Sequence, residues 1–270
     1  MPELPEVETT RRGLAPFVVG QRIARLVVRE RRLRWPLAAG LETRVAGRLI
    51  RDLGRRGKYL LVQIDDGWLL AHLGMSGSLR YLRQPELVRS HDHYDFELVG
   101  GAVLRYNDPR RFGSLHFTCD PANHPLLCQL GPEPLDPGFD GDYLWRRARG
   151  RRTAIKSFIM DGGIVVGVGN IYANEALFRA GIHPARPAGR ISRRRLQELS
   201  DEIRAVLEDA LRAGGTTLRD FVGGDGKPGY FRQALAVYER AGEPCRRCGH
   251  PIRRRVIGQR ATYYCPACQR

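Results

Sequence analysis

Apolar residues occur in short, separated runs through the first half of the chain and on a helical period through the second. Ile23–Val28, Lys58–Ile64, Trp68–Leu73, Tyr94–Val99, Ala102–Tyr106 and Ser114–Thr118 are rich in the side chains that suit half-buried strands. Asp65-Asp66-Gly67 and Gly100-Gly101 separate two pairs of these runs and mark hairpins. Short strands joined by tight turns predict an antiparallel sandwich or barrel. Ahead of them, Pro5–Leu14 predicts a helix, with Pro5 and Glu6 suited to its first turn.

Gly131-Pro132-Glu133-Pro134-Leu135-Asp136-Pro137-Gly138 is a rigid, turn-rich boundary. After it, Ser192 is expected to cap a helix whose stripe is Leu196, Leu199, Ile203, Val206, Leu207 and Leu211. Asn170 is expected to cap a second helix, Ile171–Ala180, which Gly181 stops. Strands return around the terminal cysteines. These shifts divide the chain into 1–133, 134–236 and 237–270, an α+β organisation of strands, then helices, then a small cysteine-bearing module.

Composition narrows the class. An apolar content of 42% over 270 residues excludes general disorder and allows a real core. No apolar run approaches the ~18 residues of a membrane span, so no membrane partner is expected. The acidic, proline-punctuated start resembles neither a signal nor a transit peptide, which makes the cytoplasm the default compartment. There, six cysteines argue for metal or free thiols over disulfides. The formal charge of +16 favours a polyanionic partner, nucleic acid above all. Residues 134–270 carry the larger share of that charge. Nearly all the cations are arginine; the only lysines are Lys58, Lys156 and Lys227. Lysine can exchange a proton and arginine in practice cannot, so Lys58 and Lys156 are candidates for chemistry.

Cys245-x-x-Cys248 and Cys265-x-x-Cys268, sixteen residues apart, form a structural zinc signature whose four thiolates close a tetrahedral site. From Cys245 through Arg270 there are seven arginines and no acidic residue, which suits a clipped hairpin presented to phosphates, with Arg260 near its Gly258-Gln259 turn. Cys119 and Cys128 fall outside the spacing and read as free thiols. Gly167-Val168-Gly169-Asn170 precedes a helix and suits either a glycine-rich turn or a phosphate approach. Leu73-Gly74-Met75-Ser76-Gly77 and Asp108-Pro109-Arg110-Arg111-Phe112-Gly113 each hold a bulky apolar residue beside glycine, either as a core anchor or as a wedge for a base stack. His91-Asp92-His93 would place two histidines on one strand face, without a third metal ligand. Removal of Met1 would expose Pro2 as a secondary amine, a nucleophile toward a carbonyl-like carbon. Glu3, Glu6 and Glu8 follow at once, either as an acidic helix lead or as groups for proton transfer.

Met1 to Thr9, His72 to Gly77, Asp108 to Gly113, Val166 to Ala173 and the four cysteines occur in the order found in one family. Over its whole length the sequence resembles the bacterial formamidopyrimidine-DNA glycosylases. The resemblance implies an N-terminal antiparallel β-sandwich with flanking helices, a helix–two-turns–helix domain and a zinc-ribbon hairpin. It implies a bifunctional glycosylase and abasic-site lyase of base excision repair that acts on oxidised purines in double-stranded DNA through a Schiff base. Pro2 then matches the nucleophile, Glu3 the general acid/base, Lys58 the β-elimination position and Arg260 the δ-elimination position. Met75, Arg110 and Phe112 match residues filling the gap left by a flipped nucleotide, with Arg110 facing the orphaned cytosine. His91, Arg151 and Asn170 match phosphate-directed contacts, and Thr217 to Tyr230 a segment covering the extruded base. Asp161-Gly162-Gly163 departs from the bulkier pair usual in the family, which is expected to loosen the approach to Gly167–Asn170. One structural Zn2+ and a monomer are expected. Two alternatives stay open: an endonuclease VIII-like enzyme for oxidised pyrimidines and a non-catalytic zinc-ribbon DNA binder. Phe112 and Leu4-Pro5-Glu6-Val7-Glu8 favour the purine enzyme, and Pro2, Glu3 and Lys58 argue against the binder.

Overall fold

Glu3 starts the first helix of the computed structural model, α1 (Leu4–Val18), which runs four residues beyond the apolar pattern, past Pro16. The structure describes residues 2–214 and 235–270; the segment Thr217 to Tyr230 and Lys227 lie outside them. The described chain separates into a unit of residues 2–128 with 213–214 and a unit of 129–212 with 235–270.

In the first unit, β1 (Ile23–Val28), α2 (Leu41–Val45), β2 (Ile50–Arg56), β3 (Tyr59–Ile64), β4 (Gly67–His72), β5 (Ser78–Leu82), β6 (Asp92–Leu98), β7 (Val103–Asn107) and β8 (Ser114–Thr118) follow α1. They build two four-stranded antiparallel sheets, β1-β6-β7-β5 and β2-β3-β4-β8. Leu60, Val62 and Ile64 alternate inward along β3 and join Leu26, Phe96, Leu104 and Tyr106 of the other sheet in one core. Val7 and Leu14 of α1 pack into the same cluster. This is the expected sandwich. The pattern passed over β2 and β5, whose outward positions are charged or polar. Lys58 is not in a strand: Gly57 and Lys58 form the β2–β3 turn, with Gly57 at φ +56°. His91 lies outside β6 at φ +69°, so it does not share a strand face with His93.

A buried ion cluster fixes the sheet edge near His91. Arg105, 2% exposed, donates to Asp95 Oδ1 at 2.9 Å and Oδ2 at 2.8 Å, and its Nη1 reaches the carbonyls of Glu86 and Leu87 at 3.1 Å. Burial raises the Asp95 carboxyl, but hydrogen bonds from Arg29 and Arg105 hold it below the ordinary range. Such a pair contributes little net stability, yet breaking it by removing one partner costs about 3–5 kcal/mol.

The second unit is helical before its terminal hairpin. Its elements are α3 (Gly141–Ala148), α4 (Ile155–Ile159), α5 (Asn170–Arg179), α6 (Arg193–Arg212), β9 (Arg253–Ile257) and β10 (Arg260–Tyr264). Ser192 accepts from the Arg195 N–H at 3.4 Å, as expected of a cap. Leu196, Leu199, Ile203, Val206 and Leu207 of α6 are fully buried. Burial of each such side chain is worth about 1.5–3 kcal/mol. Leu211 is only half-buried; Ala210 takes the last inward position. Gly169, not Asn170, is the N-cap of α5, and Asn170 is its first helical residue. Among the described residues, no helix is long and apolar enough to cross a membrane.

Candidate active site and nucleic-acid interface

The first candidate residues sit at the head of α1. Pro2 is buried and Glu3 is 1% exposed. Glu3 and Glu6 form a reciprocal capping box: the Glu3 side chain accepts the Glu6 N–H, and Glu6 Oε2 accepts the Glu3 N–H at 2.8 Å. Two donors at the helix start are satisfied, and the Glu3 carboxylate is held in one place. Glu8 receives Arg11 at 2.8 and 2.9 Å, Arg12 at 2.7 Å and Arg55 at 3.3 Å. Burial opposes its ionisation, but the hydrogen bonds from Arg11 and Arg12 and the charges of Arg11 and Arg55 hold its carboxyl down at about 2.

The same ion pairs reach Lys58. Arg11 donates to the Leu53 carbonyl at 3.2 Å, and Arg55 donates to the Gly57 carbonyl at 2.9 Å. Helix α1 is thereby tied to the β2–β3 turn that presents Lys58. Opposite it, His72 pairs with Tyr59 across the sheet, ring centroids 4.9 Å apart. Burial, then the charges of Lys58 and Arg34, pull the His72 imidazole down to about 4. It is therefore neutral near pH 7. Its Nδ1 accepts the Gly74 N–H at 2.9 Å, which leaves the ring hydrogen on Nε2.

His72 leads directly into the first glycine-flanked loop, Leu73 to Gly77. Gly74 lies at φ +69°, and a β-carbon there would meet the backbone of Phe112 and Gly113 at 2.5 Å. The two glycine-flanked loops are therefore packed backbone against backbone. Met75 is half-buried, whereas Phe112 is 43% exposed and carries the Arg110 guanidinium over its ring at 4.9 Å. That exposure favours the wedge reading of Phe112 over a core anchor. His91 is exposed and lines a cleft of about 410 Å³ with Arg29, Arg89, Arg111, Glu30 and Asp92, in which the three arginines pair with Asp95, Glu86 and Glu30.

In the second unit, Gly258 at φ +56° and Gln259 at φ +59° make the hairpin turn before the exposed Arg260. A web of polar side chains outside the hairpin holds it. Lys156, fully buried, donates to the Ala261 carbonyl at 2.9 Å and Thr262 Oγ1 at 2.8 Å. Asn170 donates to the same carbonyl at 3.0 Å, and Asn174 accepts the Tyr263 N–H at 2.8 Å. Glu175 accepts three successive N–H groups, of Ala236, Val237 and Tyr238, at 2.8–2.9 Å. Lys156 is thus an anchor, not a reacting group. Glu175 is a clamp that no motif or spacing marked in advance. Arg151 is exposed after the Gly150 turn. At the departure from the family pattern, Asp161 accepts the Gly163 N–H at 2.9 Å. A β-carbon at Gly162 or Gly163 would come no nearer than 3.4 Å to a neighbour, so packing does not enforce the small pair.

The sulfur atoms of Cys245, Cys248, Cys265 and Cys268 all lie within 4.8 Å of one another. Three separations are 3.4, 3.5 and 3.9 Å. A tetrahedron with Zn–S bonds of ~2.3 Å has edges of about 3.8 Å, so the four thiols fit zinc. Cys119 and Cys128 are exposed free thiols.

Family models match three stretches of the chain: the formamidopyrimidine-DNA glycosylase N-terminal domain over residues 1–115, the H2TH domain of the same enzymes over 130–222, and a zinc finger found in FPG and IleRS over 242–270. A formamidopyrimidine-DNA glycosylase of Methylococcus capsulatus is 62% identical, with both chains fully covered. The MutM (Fpg) protein of Thermus thermophilus superposes with a TM-score of 0.88 at 40% identity, covering 99% of this chain and 98% of that one. A Lactococcus lactis FPG mutant in complex with Fapy-dG containing DNA gives 0.93 at 33% identity, with both chains fully covered.

Proposed function

The chain belongs to the formamidopyrimidine-DNA glycosylase family, and from that premise we propose that it excises oxidised purines from duplex DNA and then cuts the strand by β,δ-elimination. It is a base-excision-repair glycosylase whose partner is DNA carrying damaged bases. Its four cysteines hold one structural zinc, which clips the hairpin and leaves no coordination position for substrate. The observation that carries the catalytic assignment is the head of α1, where a capping box fixes the buried Glu3 carboxylate directly beside the buried Pro2.

In this reading the Pro2 amine attacks the sugar C1′. The N–C1′ bond forms as the bond to the base breaks, and the base leaves with the proton that the amine gives up. Glu3 delivers a proton to the ring oxygen as the sugar opens to the iminium. The iminium acidifies the C2′ hydrogen, whose loss expels the 3′ phosphate; a second proton loss expels the 5′ phosphate. Lys58 serves the first elimination and Arg260 the second. A buried base must first leave the stack at a cost of a few kcal/mol. Met75, Arg110 and Phe112 fill the vacated space, and His91, Arg151 and Asn170 hold phosphates. The charge of +16 supports residence on chromosomal DNA between events.

Single-turnover cleavage of duplexes with 8-oxoguanine, a formamidopyrimidine or thymine glycol, each opposite cytosine or adenine, tests the substrate class. Purine lesions opposite cytosine should react at least about tenfold faster than thymine glycol, the scale that pocket contacts provide. A pyrimidine preference would move the enzyme to the endonuclease VIII-like class, and no cleavage of any duplex would leave a DNA binder. For the zinc, Cys248→Ser should lower duplex affinity by about tenfold or more, through loss of hairpin order and its phosphate contacts. Fluorescence anisotropy with a zinc assay on the same sample checks this; wild-type affinity in a stable, metal-free protein overturns it.

A further inference from the structure

One carboxylate gathers the loops that carry the wedge residues. Asp108 is fully buried. Its Oδ1 accepts Ser76 Oγ at 2.7 Å and the Arg110 N–H at 3.2 Å. Its Oδ2 accepts the Tyr106 hydroxyl at 3.1 Å and the Gly113 N–H at 2.9 Å. Its main chain extends the knot: the carbonyl lies 2.7 Å from His93 Nε2, and the N–H donates to the His91 carbonyl at 3.1 Å. Ser76 follows Met75, and Arg110 and Gly113 bracket the second loop, so the two oxygens hold every wedge residue through a neighbour or through its own backbone. The Tyr106 hydroxyl that Asp108 orients lies where β-carbons on Gly77 and Gly113 would intrude, closing the packing between the loops.

We infer that Asp108 is the positioning residue that preassembles Met75, Arg110 and Phe112 into one rigid intercalating unit before DNA arrives; the inference rests on the wedge reading above. The chemistry requires a carboxylate. All four groups facing it donate, and two of them are backbone N–H groups that cannot rotate away. An asparagine offers one acceptor oxygen and one NH2. With the NH2 in the Oδ1 position it faces the Arg110 N–H, which keeps only the longer 3.3 Å contact to Ser76 Oγ. In the Oδ2 position it faces the Gly113 N–H, so either way two donors meet and the loop of residues 108–113 loses a fastening. Wedge loops that are already fastened also lose less conformational entropy on insertion, so the benefit falls on duplex entry and not on bond breaking.

The test compares Asp108→Asn with Phe112→Ala on two substrates. One is an 8-oxoguanine duplex, which must be unstacked. The other is a single-stranded oligonucleotide with a pre-formed abasic site, which need not be. Asp108→Asn should lower single-turnover cleavage of the duplex by about tenfold or more and leave the single strand within about twofold. 2-Aminopurine beside the lesion should show slowed wedge insertion in step with that loss. The double variant should lose less than the product of the single losses, because both act through one unit. If Phe112→Ala itself spares the duplex, the wedge reading fails. If Phe112→Ala is duplex-selective but Asp108→Asn is not, with equal losses or none, the positioning role fails. Should Asp108→Asn not fold, Ser76→Ala decides, since it removes one donor and keeps the carboxylate: a duplex-selective loss of a few-fold supports the role and wild-type rates on both substrates overturn it.

Discussion

Enzyme that retains Met1 should yield no borohydride-trapped adduct with abasic or 8-oxoguanine DNA, while processed enzyme should be trapped in high yield through Pro2. With Met1 in place the proline nitrogen is a tertiary amide; its lone pair is delocalised into the carbonyl and it cannot form an imine. Once freed, it is an α-amino group with an ordinary pKa of ~7.7–8, so a useful fraction is neutral at physiological pH. The difference between the two preparations is therefore all or nothing. Peptide mapping of the reduced adduct checks the site. An adduct on Lys58, or efficient cleavage without any trapped N-terminal residue, would sink the assignment of Pro2.

Lys58→Arg should bind lesion DNA normally yet lose about 10²-fold or more in the rate of base excision or elimination, the range that positioned proton transfer supplies. Both side chains carry a positive charge, but the guanidinium stays protonated with a pKa above ~12. The structure sharpens the comparison. The β2–β3 turn is fastened by Arg55 to the Gly57 carbonyl and by Glu8 to Arg55, so the substitution leaves the backbone that presents residue 58 intact. Its positive charge beside His72 is also kept, so the imidazole should remain neutral at pH 7 in the variant. A loss would then report the proton and not the field. Comparing an intact lesion with a pre-formed abasic site separates excision from elimination. Near-normal rates on both would show that the position supplies charge alone.

The sandwich was legible because β3 alternates inward on a period of two, and β4, β6, β7 and β8 are short runs of strand-forming residues bounded by turn signals. β2 was not, since Arg51, Asp52, Arg55 and Arg56 crowd its sequence and only Ile50 and Leu53 reach the core. Zinc was legible from spacing alone, because two knuckles need no partner from elsewhere in the chain. Lysine scarcity does not by itself separate chemistry from structure. It marked Lys58 and Lys156 alike, and the burial of Lys156 against Ala261 and Thr262 makes that one a fastener. Asp108 could be quoted within its motif, but its four-donor role depends on Ser76 and the run Tyr106–Gly113, two separate stretches, converging on one carboxylate. No linear pattern encodes that convergence.

The fastening of the zinc hairpin bears on modularity. The stretch matched as a zinc finger begins at residue 242, but the groups that aim it, Lys156, Asn170 and Asn174, lie within the helical match at 130–222. The metal closes the knuckle; the helices decide where Arg260 points. A graft of residues 242–270 onto another scaffold would therefore inherit a folded ornament without its bearing. In a lineage that exchanges such modules, the hairpin and the face of α5 must travel, or drift, together.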